Sequence, residues 1–168
     1  ISFYENARVH EITLASDYEL ENGTIIKGGT VVEFSVIGSV MKITLKKDVS
    51  MENGIMAKAG TDLLFYPNGG FRQVTLNQNW KNKKGYTMKA DTVLEWHENG
   101  YYKRFIIAEE WKGPDGIVYP ADSELLIHEN GTVKQFTLLK EKKYSVLLPQ
   151  GTEVTLYDNG QLREIRLP

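Results

Sequence analysis

The sequence predicts an all-β fold built of tandem 31-residue hairpin repeats, whose hairpins make an elongated, twisted antiparallel sheet or a solenoid-like roll. Three observations predict it. Gly38, Gly69, Gly100 and Gly131 follow one another at steps of 31, and Gly23, Gly54, Gly85 and Gly116 repeat the same step out of phase. A fixed period of this size is the mark of a repeat architecture. Apolar residues alternate at period two on either side of the first glycine series, as they do in a strand with one buried face. No stretch carries the 3.6-residue period of a helix.

The first arm of each hairpin has two apolar columns. One is Ile1, Val32, Leu63, Leu94, Leu125 and Val154; the other, two residues on, is Phe3, Phe34, Phe65, Trp96, Ile127 and Leu156. The turn follows as YENA, YPNGG, HENG, HENG or YDNG in five of the six hairpins. Asn-Gly is a strong hairpin signal because both residues tolerate positive φ. The second arm is expected to bury Val9, Val40, Phe71, Tyr102, Val133 and Leu162, then Ile12, Ile43, Val74, Phe105, Phe136 and Ile165, then Leu14, Leu45, Leu76, Ile107, Leu138 and Leu167. The step of three between the first two columns breaks the alternation and predicts a bulge.

A shorter connector joins successive hairpins. It starts near Tyr18, Val49, Trp80 and Trp111, which are expected to form a small second core. It turns at Glu-Asn-Gly, Glu-Asn-Gly, Lys-Lys-Gly and Pro-Asp-Gly, and returns through Ile26, Ala57, Met88 and Tyr119. Gly28-Gly29-Thr30 and its equivalents, Ala121-Asp122-Ser123 among them, predict a kink between two extended segments. The fifth connector, residues 139–150, is two residues shorter and carries Lys140, Lys142 and Lys143, with Tyr144 in place of the usual aromatic. The count is six hairpins and five connectors in a single repeat domain, 1–168. Closure of the same strands into a barrel or propeller is the alternative architecture.

Composition narrows the function classes. The 20 Lys and Arg nearly balance the 22 Asp and Glu, which is no footprint for nucleic acid. No apolar run reaches the length of a membrane-spanning helix. The chain has no Cys, hence no disulfide and no thiolate chemistry. A chain opening on Ile1, inside a hairpin, is expected to be a processed or trimmed product.

The YENA, HENG and YDNG turns after aromatic strands resemble those of the MORN family of tandem hairpin repeats. MORN units are shorter and carry Gly-x-Gly and Tyr-x-Gly steps, which this chain lacks. The longer pattern of Gly-Thr, FYPNG and VTL is also similar to hairpin repeats of bacterial secreted and envelope proteins. The resemblance implies a scaffold or binding role in the envelope or extracellular space. It transfers no catalytic residue.

One column stands out as a candidate site: Tyr4, Ser35, Tyr66, His97, His128 and Tyr157, one residue beyond the first-arm aromatics. Tyr4, Tyr66, His97, His128 and Tyr157 would form an aromatic and imidazole strip for a protein or glycan of the cell surface. The competing reading is a ladder that pairs neighbouring hairpins. Equivalent residues two strands apart are separated by roughly 10 Å, too far to share a metal. No metal and no cofactor is therefore expected, and no catalytic set such as G-x-S-x-G is present. The main reading is a non-enzymatic scaffold or binding module that presents one sheet face. A carbohydrate-processing enzyme or accessory domain using the strip is the alternative.

Overall fold

The computed structural model describes residues 1–20, 23–51, 54–114, 116–143 and 147–168, without the side chains of Lys142 and Lys143. The expected turn residues Glu21, Asn22, Glu52, Asn53 and Asp115, and Tyr144 of the fifth connector, lie outside them.

The chain alternates long hairpins with short two-stranded connectors. The first hairpin is β1 (Ser2–Phe3) and β2 (Val9–Thr13), followed by the connector β3 (Tyr18–Glu19) and β4 (Ile25–Ile26). Next come β5 (Val31–Phe34) and β6 (Val40–Thr44), then β7 (Val49–Ser50) and β8 (Met56–Ala57). The third pair is β9 (Asp62–Phe65) and β10 (Phe71–Thr75), then β11 (Trp80–Lys81) and β12 (Thr87–Met88). The fourth is β13 (Val93–Trp96) and β14 (Tyr102–Ile106), then β15 (Trp111–Lys112) and β16 (Val118–Tyr119). The chain ends with β17 (Ser123–Ile127) and β18 (Val133–Leu138), β19 (Lys142–Lys143) and β20 (Leu147–Leu148), and β21 (Glu153–Leu156) and β22 (Leu162–Arg166).

The hairpin arms join in chain order into one antiparallel sheet of 12 strands, and each connector is a separate two-stranded sheet. The large sheet is open, with β1 at one edge and β22 at the other. No helix among the described residues is long and apolar enough to cross a membrane. Contacts divide the chain into two compact units, Ile1–Gln78 and Asn79–Pro168.

The predicted bulge is present in every hairpin. Phe65 pairs with Phe71 but Leu64 pairs with Gln73, so Arg72 is the extra residue. His10, Met41, Lys103, Lys134 and Arg163 are skipped in the same way. The turns differ from the expectation in one respect. Only the glycine of each Asn-Gly pair takes positive φ, with Ala7 in that place in the first hairpin. The asparagine instead accepts from the backbone two residues on: Asn68 Oδ1 from Gly70 N at 2.9 Å, Asn130 Oδ1 from Thr132 N at 3.0 Å. A bulged three-residue loop needs a left-handed residue only at its end.

In both units the connector folds back beneath the next hairpin. In the first, Ala57 bridges Leu76; in the second, Met88 bridges Ile107. Ile26, Ala57, Met88 and Tyr119 are fully buried by this layer. Burying side chains as large as Leu63, Leu94, Phe105 and Leu125 stabilises the layered body by about 1.5–3 kcal/mol each. The kink forms as predicted: Gly29, Gly60, Asp91, Asp122 and Gly151 have positive φ. Buried Thr152 returns its hydroxyl to Pro149 O at 2.7 Å, and Thr61 does the same to Lys58 O.

The apolar columns are not buried throughout. Ile1, Phe3, Leu162, Ile165 and Leu167 are exposed. They lie in the first and last hairpins, whose edge strands have a neighbour on one side only. Tyr18 is exposed too, whereas Val49 in the same column is buried. The outgoing strand of a connector packs on the return of the one before, as β7 does on β4. Tyr18 belongs to the first connector and has no such support.

Candidate functional site

Tyr4, His97 and His128 of the Tyr/His column each reach towards the next hairpin. The Tyr4 hydroxyl donates to Phe34 O at 2.7 Å, while its ring lies 4.6 Å from that of His10. His97 Nε2 lies 2.8 Å from Ile127 O. Asn99 adds a parallel contact, donating from Nδ2 to Glu129 O at 3.0 Å. His128 departs from this pattern. Its Nε2 sits 3.0 Å from Asp158 Oδ1, without hydrogen-bond geometry, a contact that becomes an ion pair when the imidazole is protonated. Tyr66 is half-buried, and Tyr157 is exposed beneath the Arg163 guanidinium, 5.7 Å from its ring centroid. In the tips of Tyr4 and His97, the polar atoms that a ligand would use are already bonded to backbone.

The second unit contains a different feature, a cavity of about 680 Å³. Its walls carry Tyr86, Tyr101, Tyr102, Phe105 and Trp111, and its polar rim includes Lys84, Lys112, Thr132, Asp158 and Asn159. Ligand sites are commonly clefts of this size with apolar walls and a few polar groups.

Two repeat-breaking residues, Tyr86 and Tyr101, help build this cleft. Tyr86 stands where the neighbouring units have Thr24, Ile55 and Ile117, and Tyr101 where they have Arg8, Ser39, Gly70, Thr132 and Gln161. Trp111 occupies the column of Tyr18 and Val49. The rings brace one another. Tyr86 stacks on Phe105 with centroids 5.0 Å apart, and Trp111 meets Tyr86 edge-on at 4.9 Å. Trp111 in turn stacks on Tyr119 at 5.2 Å, and Tyr102 stands edge-on to Phe105. Such pairs fix ring orientation beyond what burial alone does. Burial pushes the Tyr86 hydroxyl well above the usual phenol range, and the Tyr102 hydroxyl upward. Both stay protonated at neutral pH, so they are hydrogen-bonding groups and not bases.

Tyr101 is about half exposed and closes one wall by lying on the next turn. A Cβ on Gly131 would come within 3.0 Å of its ring and 3.6 Å of Lys84 Nζ. The absence of a side chain there lets the ring and the ammonium converge.

Sequence reading placed the site on the repeating column, because periodic residues are the easiest to see. Two rings of the cleft, Tyr86 and Tyr101, depart from the period, while Tyr102, Phe105 and Trp111 lie in repeating columns. The available signal was the aromatic enrichment of one stretch, where Trp80, Tyr86, Trp96, Tyr101, Tyr102, Phe105 and Trp111 crowd within about one repeat. Trp80 and Trp111 were read as a connector core. Trp80 does pack against Tyr102, at 6.4 Å, but Trp111 also faces the cavity. Lys84 of the Lys-Lys-Gly turn reaches the cleft rim, and Lys140 of the fifth connector pairs with Asp122 at 2.5 Å. Among the described residues no three His, Asp or Glu converge as metal ligands. No protein-family model matches the chain, and no curated protein matches it.

Proposed function

We propose that this chain is a non-enzymatic repeat scaffold that binds a saccharide in the aromatic cleft of its second unit. The observation that carries the reading is the set of five rings lining one cavity, with hydroxyl, amide and ammonium groups at the rim. Aromatic walls offer flat apolar faces to the C–H surfaces of a sugar, and the rim offers donors and acceptors to its hydroxyls. The braced rings are held before binding, so little ordering cost is left to the complex. The likeness of the turns to MORN repeats, and of the longer unit to bacterial envelope repeats, supports a scaffold at the cell surface. A glycan there is the partner of choice.

Binding to a panel of surface oligosaccharides, followed by Trp fluorescence, tests this. Tyr101→Ala removes a half-exposed wall of the cleft without opening the core and is expected to abolish the response. Circular dichroism should show the fold intact. If no oligosaccharide binds the native chain, the saccharide reading is wrong. If binding instead survives Tyr101→Ala and is lost in the Tyr66→Ala, His97→Ala double variant, the site is the Tyr/His strip.

A further inference from the structure

We infer that the cleft selects an acidic saccharide, one with a carboxylate or phosphate beside the ring that rests on its aromatic walls. This deepens the saccharide reading above and rests on it. The charges at the rim carry the inference. Lys84 and Lys112 both line the cavity, and among the described residues neither has a carboxylate partner. The carboxylate on the same rim, Asp158, lies 3.0 Å from His128 Nε2 on its other side. Among the described residues, two ammonium groups thus share the rim with one carboxylate.

Elsewhere in the second unit several cations are paired. Asp122 takes both Lys89 and Lys140, Arg104 spans Glu95 and Glu124, and Arg166 reaches Glu153 and Glu164. Lys84 and Lys112 are set apart by their place at the cleft. Lys84 Nζ lies against the Gly131 turn, at the point where the Tyr101 ring also packs, so the charge stands beside an aromatic wall. Lys112, on β15, lines the same cavity. A ring seated on aromatics with an anionic substituent uses both features at once. A neutral sugar would leave the two ammonium groups with water alone. Charge-assisted hydrogen bonds in a partly desolvated cleft exceed neutral ones in strength.

Three probes separate the outcomes: tetragalacturonate for a carboxylate, a phosphorylated cellotetraose for a phosphate, and cellotetraose as the neutral control. Fluorescence titration in low salt should show one of the acidic probes binding on the order of tenfold or more tightly than cellotetraose. Whichever acidic probe prevails identifies the anion. In the Lys84→Gln, Lys112→Gln double variant that preference should disappear, the acidic probe binding no more tightly than cellotetraose does to the same variant. Equal affinity for acidic and neutral probes, or an acidic preference that survives the double variant, overturns the inference and leaves the saccharide reading standing. If none of the three probes, nor any member of the wider panel, binds the native chain, both readings fall together.

Discussion

Asp122 illustrates how one position in this repeat is asked to do two jobs. It sits at the kink with φ of +59°, where the other units have Gly29, Gly60 or Asp91. Its short side chain tolerates the left-handed region better than most. Its carboxylate then accepts from Lys140 and Lys89, and these bonds hold its pKa below the usual 3.8. A depressed folded-state pKa gives stability that is present above the unfolded value and lost as pH falls through the folded one. Asn retains the kink geometry but not the charge. Asp122→Asn should therefore be less stable than the native chain at pH 7, by about 0.2–1 kcal/mol per lost pair. The gap should close as the pH is lowered below 3.8. Urea melts of both chains at pH 7 and at progressively lower pH check this; a gap independent of pH would mean that the ion pairs contribute nothing. The kink itself was readable from Gly or Asp before Thr or Ser. The lysines that meet at Asp122 were not, because they come from positions 33 residues before and 18 after it.

At the scale of the hairpin, the turn glycines are equivalent in sequence but not in surroundings. Gly100 and Gly131 both have positive φ, yet a Cβ on Gly100 meets nothing within 4 Å, whereas one on Gly131 meets the Tyr101 ring. Ala7 occupies the same place in the first hairpin at φ of +62°, so alanine is compatible with the turn. Gly100→Ala should cost the conformational term alone, about 1–2 kcal/mol. Gly131→Ala should cost more, because Tyr101 must move, and it should also weaken ligand binding at the cleft. Denaturation midpoints and the fluorescence titration measure the two effects. Equal destabilisation with unchanged binding would show that Tyr101 is not held by Gly131. The bulge was predictable from the step of three between apolar columns, since an extra residue is the only way to keep both columns on one face. The asparagine's non-left-handed conformation was not, because the Asn-Gly dipeptide serves two-residue and bulged loops alike.

For the whole molecule, stability is expected to be graded. Stacked units contact their neighbours, so an edge strand has fewer partners than an interior one. β1 and β22 are the edges of the 12-stranded sheet, and Phe3, Leu162 and Ile165 on them are exposed, as are the flanking Ile1 and Leu167. Amide hydrogen exchange should open these two strands first. β9 and β10 in the first unit, and β13 and β14 in the second, should exchange last, since Leu63, Val74, Leu94 and Phe105 there are fully or almost fully buried. Uniform protection from edge to edge would contradict this picture.

By itself the sequence determined the repeat, the hairpins, the bulges and the kinks. Each depends on residues close in the chain, through alternation, turn chemistry and allowed φ. It also determined that Tyr4, Tyr66, His97, His128 and Tyr157 occupy one column. Only the tertiary structure decided what that column does, because the partner of a side chain such as Tyr4 is a carbonyl 30 residues away, at Phe34. The same is true of the open sheet, whose closure depends on accumulated twist that no single repeat encodes. It is true above all of the cleft. Its rings and lysines come from connectors, a turn and the strand β14, and they acquire a common face only when these pack together.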